Sequence, residues 1–224
     1  MPTSSNLSPD FQVRSLSVHY PDCAQPVFSE LSFELHRGES LGIHGANAAG
    51  KSSLIHALCG VIPHYISAAR SGEIYYKERS LMDMPLSEIY RIMAVSLSDT
   101  KSQFMFPTVE YELAFALENM AIPAPIIRQR IDAATARFGI SALIDKAPLQ
   151  LSGGEQKLVV LAMCDAMDSP ILLLDEPERG LSPSSLQLLQ NWLLELKEQG
   201  RMVIMATHNS TLLAGCDRRM RIGH

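Results

Sequence analysis

The chain lacks any apolar run approaching the ~18 residues of a membrane helix, so it is not expected to cross a membrane by itself. Cysteine is sparse. Cys23, Cys59, Cys164 and Cys216 stand far apart and form no C-x-x-C pair, which reads as reduced structural thiols in a cytoplasmic protein. An excess of positive charge is also missing: the formal net charge is -5, and no nucleic-acid partner is expected. Neither an internal repeat nor a low-complexity segment interrupts the chain. Residues 1–10, MPTSSNLSPD, have no basic start leading into an apolar stretch, and they carry no periodicity. They are expected to be a mobile tail. What is present is an ordinary globular balance, 46% hydrophobic and 19% charged, which excludes a disordered chain.

One stretch organises the rest. Gly45-Ala46-Asn47-Ala48-Ala49-Gly50-Lys51-Ser52-Ser53 fits the phosphate-loop pattern G-x-x-x-x-G-K-[ST] without a mismatch. Glu39 to Ile43 before it reads as a strand and Leu54 to Leu58 after it as a helix. Between strand and helix, glycines let the backbone wrap a phosphate, and the N–H groups of the helix start point at it. Lys51 is expected to reach the β- and γ-phosphates, and the Ser52 hydroxyl to hold Mg²⁺. A plain glycine turn before a helix is the alternative, and the Lys51-Ser52 pair speaks against it.

Around this loop the chain reads as an α/β protein. Phe11 to Tyr20, Leu31 to Leu35 and Gly72 to Tyr76 suggest a small antiparallel sheet, the first of them imperfectly alternating. Ile92 to Val95 is a short buried strand. A helix is expected behind a capping Thr108, another from Pro125, and a third from Gly153 to about Met167, so residues 99–165 form a helical lobe inserted in the core. Ile171 to Leu174, then a helix carrying Leu186, Leu189, Leu193 and Leu196 on one face, then Arg201 to Met205, give strand, helix, strand and hence a parallel sheet. Asp175 and Glu176 follow the first of these strands, at the edge where such sheets bind ligands. Asp175 fits a Mg²⁺ partner and Glu176 a group that polarises water for attack on the γ-phosphate. Two acids in a turn is the plain alternative.

Leu151-Ser152-Gly153-Gly154-Glu155 is a capping box by spacing, and its bare glycines at a helix start also make an anion site. With this motif the chain resembles an ATP-binding cassette (ABC) ATPase, from Phe11 to Ile222. GANAAGKSS resembles the Walker A loop, LSGGE the signature, ILLLDE the Walker B strand with its glutamate, and Thr207-His208 the switch histidine. The resemblance implies a P-loop NTPase (RecA-like) core, one nucleotide-binding domain over residues 11–224, and catalytic roles for Glu176, His208 and Lys51. Tyr20 falls where the family stacks an aromatic on adenine, and a packed strand-end tyrosine is the equal alternative. Ile62-Pro63-His64 and the run from Ser102 to Phe115 are similar to ATPase subunits of energy-coupling factor importers, which take up vitamins and transition-metal ions.

Four positions depart from the family pattern. Ser98 stands for the glutamine that touches Mg²⁺ and senses the membrane subunit, and Ser182 for an aspartate in the cross-dimer loop. Ala48 replaces a loop glycine. Glu155 replaces the signature glutamine, where a carboxylate repels a γ-phosphate unless the capping box turns it away. In this family two cassettes sandwich ATP between one chain's Walker loop and the other's signature. Because the altered groups are those offered to a partner, the expected assembly is a heterodimer with a second cassette. The family's C-terminal extension is also missing, which makes a nucleotide-free dimer less expected.

The function so implied is an ATP hydrolase that powers an importer through a transmembrane coupling protein, placed peripherally on the inner face of the cell membrane. The alternatives are a regulatory cassette that binds ATP with little hydrolysis, and a soluble cassette outside transport. Phe104, Met105 and Phe106 are expected either to be buried or to line a groove for a helix of the membrane partner.

Overall fold

Residues 8–223 are described in the computed structural model; the expected tail at 1–10 lies mostly outside them. In chain order the first half holds β1 (Phe11–His19), β2 (Phe28–Leu35), β3 (Ser40–His44), α1 (Lys51–Leu58), α2 (Val61–His64), β4 (Ala69–Tyr76), β5 (Arg79–Ser80), α3 (Leu86–Ile92) and β6 (Met93–Ser96). The second half holds α4 (Val109–Asn119), α5 (Ala124–Arg137), α6 (Gly153–Met167), β7 (Ile171–Asp175), α7 (Pro183–Glu198), β8 (Met202–Ala206), α8 (Ser210–Gly215) and β9 (Arg218–Arg221).

Two hydrophobic patterns build two sheets. Alternating segments form an antiparallel sheet in the order β2-β1-β4-β5. Short, mostly apolar runs, with the arginine-rich β9 at the edge, form a parallel sheet in the order β6-β7-β8-β3-β9. The imperfect alternation of β1 has a cause: the register shifts between Val13 and Leu16, where Ser15 takes a positive φ of 48°. This bulge turns Leu16 and Val18 to the same buried side as Phe11 and Val13. Gly72 faces it, and any Cβ there would meet the Ser15 carbonyl oxygen at 2.4 Å.

The parallel strands are covered on both faces. Ile171 and Leu173 join one apolar layer with Leu54, Ile55 and Leu58 of α1, while Leu172 and Leu174 join the other with Leu189, Trp192 and Leu196 of α7. Among helices, α6 is buried from Gln156 to Ala162, because the inserted lobe packs on one side and the sheet on the other. α5 begins at Ala124, one residue before the expected start, with Pro123 in the extended N-cap position. Burial raises the Cys164 thiol to about 12 and the Cys59 thiol to about 11, and all four cysteines are free.

A polar network joins lobe to core. Asp165 of α6 accepts from Trp192 Nε1 of α7 at 2.8 Å and pairs with Arg137 of α5, which also holds Glu195 at 2.9 Å. Arg201, nearly buried, lies 3.8 Å from the same Asp165. Removing Asp165 leaves the Trp192 indole N–H without an acceptor and takes one carboxylate away from Arg137, which keeps Glu195, and from Arg201, which keeps the Ser169 and Cys164 carbonyls. Asp165→Ala should cost about 1–3 kcal/mol in urea unfolding, and Asp165→Asn, which keeps an acceptor for Trp192, should cost less. An unchanged midpoint for Asp165→Ala would remove the network from the account of stability.

Candidate active site

The site lies where three neighbouring parallel strands end. The backbone N–H of Thr207 donates to Ile43 O at 3.0 Å, and that of Glu176 to Ala206 O at 2.9 Å. Through these bonds the turns after β3, β7 and β8 emerge side by side. A cavity of about 630 Å³ opens there, lined by Tyr20, Asn47 to Ser53, Ser98, Glu176 and Arg179.

The loop from Gly45 to Gly50 is shaped by close approach. Gly50 has φ 95°, and a Cβ on it would meet Val27 Cγ1 at 2.4 Å. Ala48, which departs from the family pattern, sits in the left-handed region at φ 60°, where an alanine costs roughly 1–2 kcal/mol. Lys51 is nearly buried, and its Nζ donates to Gly45 O at 3.1 Å and Ala46 O at 2.9 Å. Tyr20 packs on the apolar layer, as the plain alternative for it expected, and it also lines the cavity, with its hydroxyl 3.1 Å from Ser53 Oγ.

Asp175 closes β7 with both carboxylate oxygens buried and without a hydrogen-bond partner. Such a group is short of a cation. One carboxylate with the Ser52 hydroxyl suits Mg²⁺, which keeps waters and takes substrate phosphates as further ligands rather than an all-protein cage. No cluster of three or more His, Cys, Asp or Glu able to hold a metal occurs among the described residues.

Glu176 follows in a positive-φ conformation of 47°, its carboxylate 3.8 Å from His208 Nε2 and 3.2 Å from Arg179. Glu178 is a residue that sequence reasoning missed. It accepts from Thr207 Oγ1 at 2.6 Å and from the His208 N–H at 3.2 Å, so it fixes the turn carrying the histidine. Its role depends on the ends of β7 and β8 being neighbours, and no local pattern marks it. Lys157 was also missed. It is buried in α6, burial holds its amine below the ordinary range with the Asp175 carboxylate partly offsetting this, and Nζ donates to Leu97 O at 2.9 Å.

The signature residues Leu151, Ser152, Gly154 and Glu155 do not line the Walker cavity. Gly154 instead meets Gly180, whose carbonyl a Cβ would approach to 2.7 Å. The capping box is formed: Glu155 Oε2 accepts from the Ser152 N–H at 2.8 Å and from its hydroxyl at 2.7 Å. The Ser152 hydroxyl, with the backbone N–H, holds the Glu155 carboxyl below its usual range. Ser182 caps α7 by accepting from the Ser185 N–H at 3.1 Å. Ser98 lines the cavity, while Gln103 bonds the backbone of Val95 and Leu97 beside it. Of the three candidate docking residues, Met105 is 69% exposed and Phe104 and Phe106 are half-buried. Glu112 grips this segment, accepting from the N–H groups of Met105 and Phe106 at 2.6 Å each.

The ABC transporter family pattern matches residues 28–179. A putative HMP/thiamine import ATP-binding protein, YkoD of Bacillus subtilis, is 34% identical over 88% of this chain. The energy-coupling factor transporter ATP-binding protein EcfA1 of Lacticaseibacillus paracasei is 32% identical over 88% of this chain and 70% of its own length. The solved structure of cbiO1 from Clostridium perfringens, part of the ABC transporter complex cbiONQ, superposes with a TM-score of 0.78 at 27% identity, over 96% of this chain and 85% of that one. The chain spans only 36 to 40% of the length of three curated relatives, YkoD among them at 36%.

Glu178→Ala should lower stability by about 1–3 kcal/mol, the cost of leaving two donors unpaired, and speed hydrogen exchange at the His208 amide. Glu178→Gln, which keeps an acceptor oxygen, should restore most of both. Unchanged exchange in Glu178→Ala would show that the histidine turn is held by other bonds.

Proposed function

The chain belongs to the ABC transporter family, and we propose that it is the ATP-binding and ATP-hydrolysing subunit of an importer of the energy-coupling factor type, serving a vitamin or a transition-metal ion. The observation that carries this reading is the convergence of the Lys51 loop, the unpartnered Asp175, and the Glu176–His208 pair at one edge of the parallel sheet. Residues 11–224 act in it as one nucleotide-binding unit, and Tyr20 stacks on the base.

Gly45 to Ser53 cradle the phosphates with backbone N–H groups at the positive end of α1, and Lys51 leaves the loop carbonyls for the β- and γ-phosphates. Ser52 and Asp175 hold Mg²⁺, which neutralises charge on the phosphate oxygens. Glu176 orients the attacking water, and His208 contacts the γ-phosphate. Catalysis of this kind is positioning and charge stabilisation, so it depends on how firmly the strand ends hold these groups.

The signature acts on a partner's ATP. Here the capping box folds the Glu155 carboxylate back onto Ser152 and engages the serine hydroxyl, which is thereby withheld from a partner's phosphate. This favours a heterodimer, with a second cassette supplying a regular signature to the Lys51 site. The exposed Met105, with Tyr111 and Phe115 at 58% and 39% exposure on α4, suits a helix of the transmembrane coupling protein, which keeps the chain peripheral on the inner face of the membrane. No helix among the described residues is long and apolar enough to cross it. A second reading, a regulatory cassette that binds ATP and hydrolyses little, is favoured by Ser98 in the cavity wall; Glu176 and His208 weigh against it.

In the assembled complex, Glu176→Gln should lower turnover about 10²–10⁴-fold while ATP stays bound. Full turnover by that variant would remove Glu176 from the mechanism. The same variant alone should stay monomeric by light scattering with Mg-ATP present; doubling of its mass would assign a homodimer. Met105→Asp should abolish capture of the membrane partner without changing the fold, and unchanged assembly would end the docking assignment.

A further inference from the structure

Arg179 belongs to none of the motifs that define the site, yet it stands at their meeting point. It sits in the turn after β7, where its backbone N–H donates to Glu176 O at 3.1 Å. Its guanidinium reaches one oxygen of the Glu176 carboxylate at 3.2 Å, while His208 Nε2 stands 3.8 Å from the other. The Arg179 side chain is 69% exposed, so this pair adds little to folding. Its position is more informative than its strength. Arg179 and Ser98 are the two residues shared by the Walker cavity and an adjoining cavity of about 270 Å³, which Lys157 and Gly153 also line. The arginine therefore shares that opening with the short serine, beside the phosphate loop.

We propose that Arg179 contacts the terminal phosphate of bound ATP and so lets this site distinguish ATP from ADP. The proposal rests on reading the cavity as an ATP site. A guanidinium offers a planar fork of donors that matches phosphate oxygens, and a γ-phosphate carries more charge than the single carboxylate of Glu176. The phosphate outcompetes Glu176 for the same donors. Release of the carboxylate from Arg179 leaves it able to accept a proton from water, so one movement serves both recognition and the start of hydrolysis. The exposure of the side chain makes that movement possible, since no packing holds it. Arg179 is thus a catalytic residue supplied by the turn after β7, contributing a polar contact beside a position where Ser98 is too short to make one.

The test compares dissociation constants of Mg-ADP and of a non-hydrolysable Mg-ATP analogue by titration calorimetry for the wild-type chain, Arg179→Ala and Arg179→Lys. Losing one charge-assisted contact should weaken the ATP analogue about tenfold to hundredfold in Arg179→Ala, with ADP changed less than about twofold. Arg179→Lys should recover part of the loss. Equal weakening of both nucleotides, or no change in either, overturns the role of Arg179 and leaves the ATP site standing. Failure of the wild-type chain to bind either nucleotide overturns the reading of the cavity itself. A thermal midpoint for Arg179→Ala matching the wild type checks that the exposed side chain has been removed without loss of fold.

Discussion

Two backbone hydrogen bonds hold the site in place, from Thr207 to Ile43 and from Glu176 to Ala206. Each closes the last pair of its ladder, Ile43 with Ala206 and Asp175 with Ala206, through the N–H of the first residue past a strand. They set the register of the turns rather than of the strands. With them, a loop from residue 45, a carboxylate at 175 and an imidazole at 208 share one edge, although the chain separates them by more than a hundred residues in the extreme case. Side-chain chemistry then needs only short reaches. A parallel sheet provides such an edge because all its strands end on the same side.

The edge is costly for the molecule to maintain. Asp175 is a buried charge with no hydrogen-bond partner, and Ala48 and Glu176 occupy backbone conformations that L residues disfavour. Stability comes from elsewhere. Two apolar layers clasp the sheet, and the network of Arg137, Asp165, Trp192 and Glu195 ties the helical lobe to α7. Strain and an unpartnered carboxylate are tolerated at the site because β7 and β8 are buried at every position and β3 at its three central ones.

Elements governed by local chemistry were legible in the sequence. β7 and β8 show as apolar runs, and α6 begins and ends where its capping box and last apolar residues place it. The sequence also placed the phosphate loop, Asp175, Glu176 and His208 at the ends of buried strands, and the structure brings those ends to one edge. Glu178 and Lys157 were not legible, because their partners, Thr207 and Leu97 O, come from distant parts of the chain and become neighbours only after folding, and Arg179, though its partner Glu176 is three residues away, falls in no motif. The bulge of β1 was visible as a broken alternation, without the Ser15 and Gly72 geometry that explains it. β9 was missed altogether: a four-residue strand with three arginines carries no hydrophobic signal, and its pairing with β3 is made by backbone alone.

That inconspicuous strand has a protective effect. Were β9 absent, β3 would be the last strand of its sheet, and its free N–H and C=O groups would offer a template for any passing extended chain. β9 takes that place with exposed Arg218, Arg219 and Arg221. Like charges along a short outer strand make poor partners for a second copy, so stacking of molecules edge to edge is discouraged where the phosphate loop is anchored. Aggregation resistance and the integrity of the nucleotide cradle thus share a single four-residue segment.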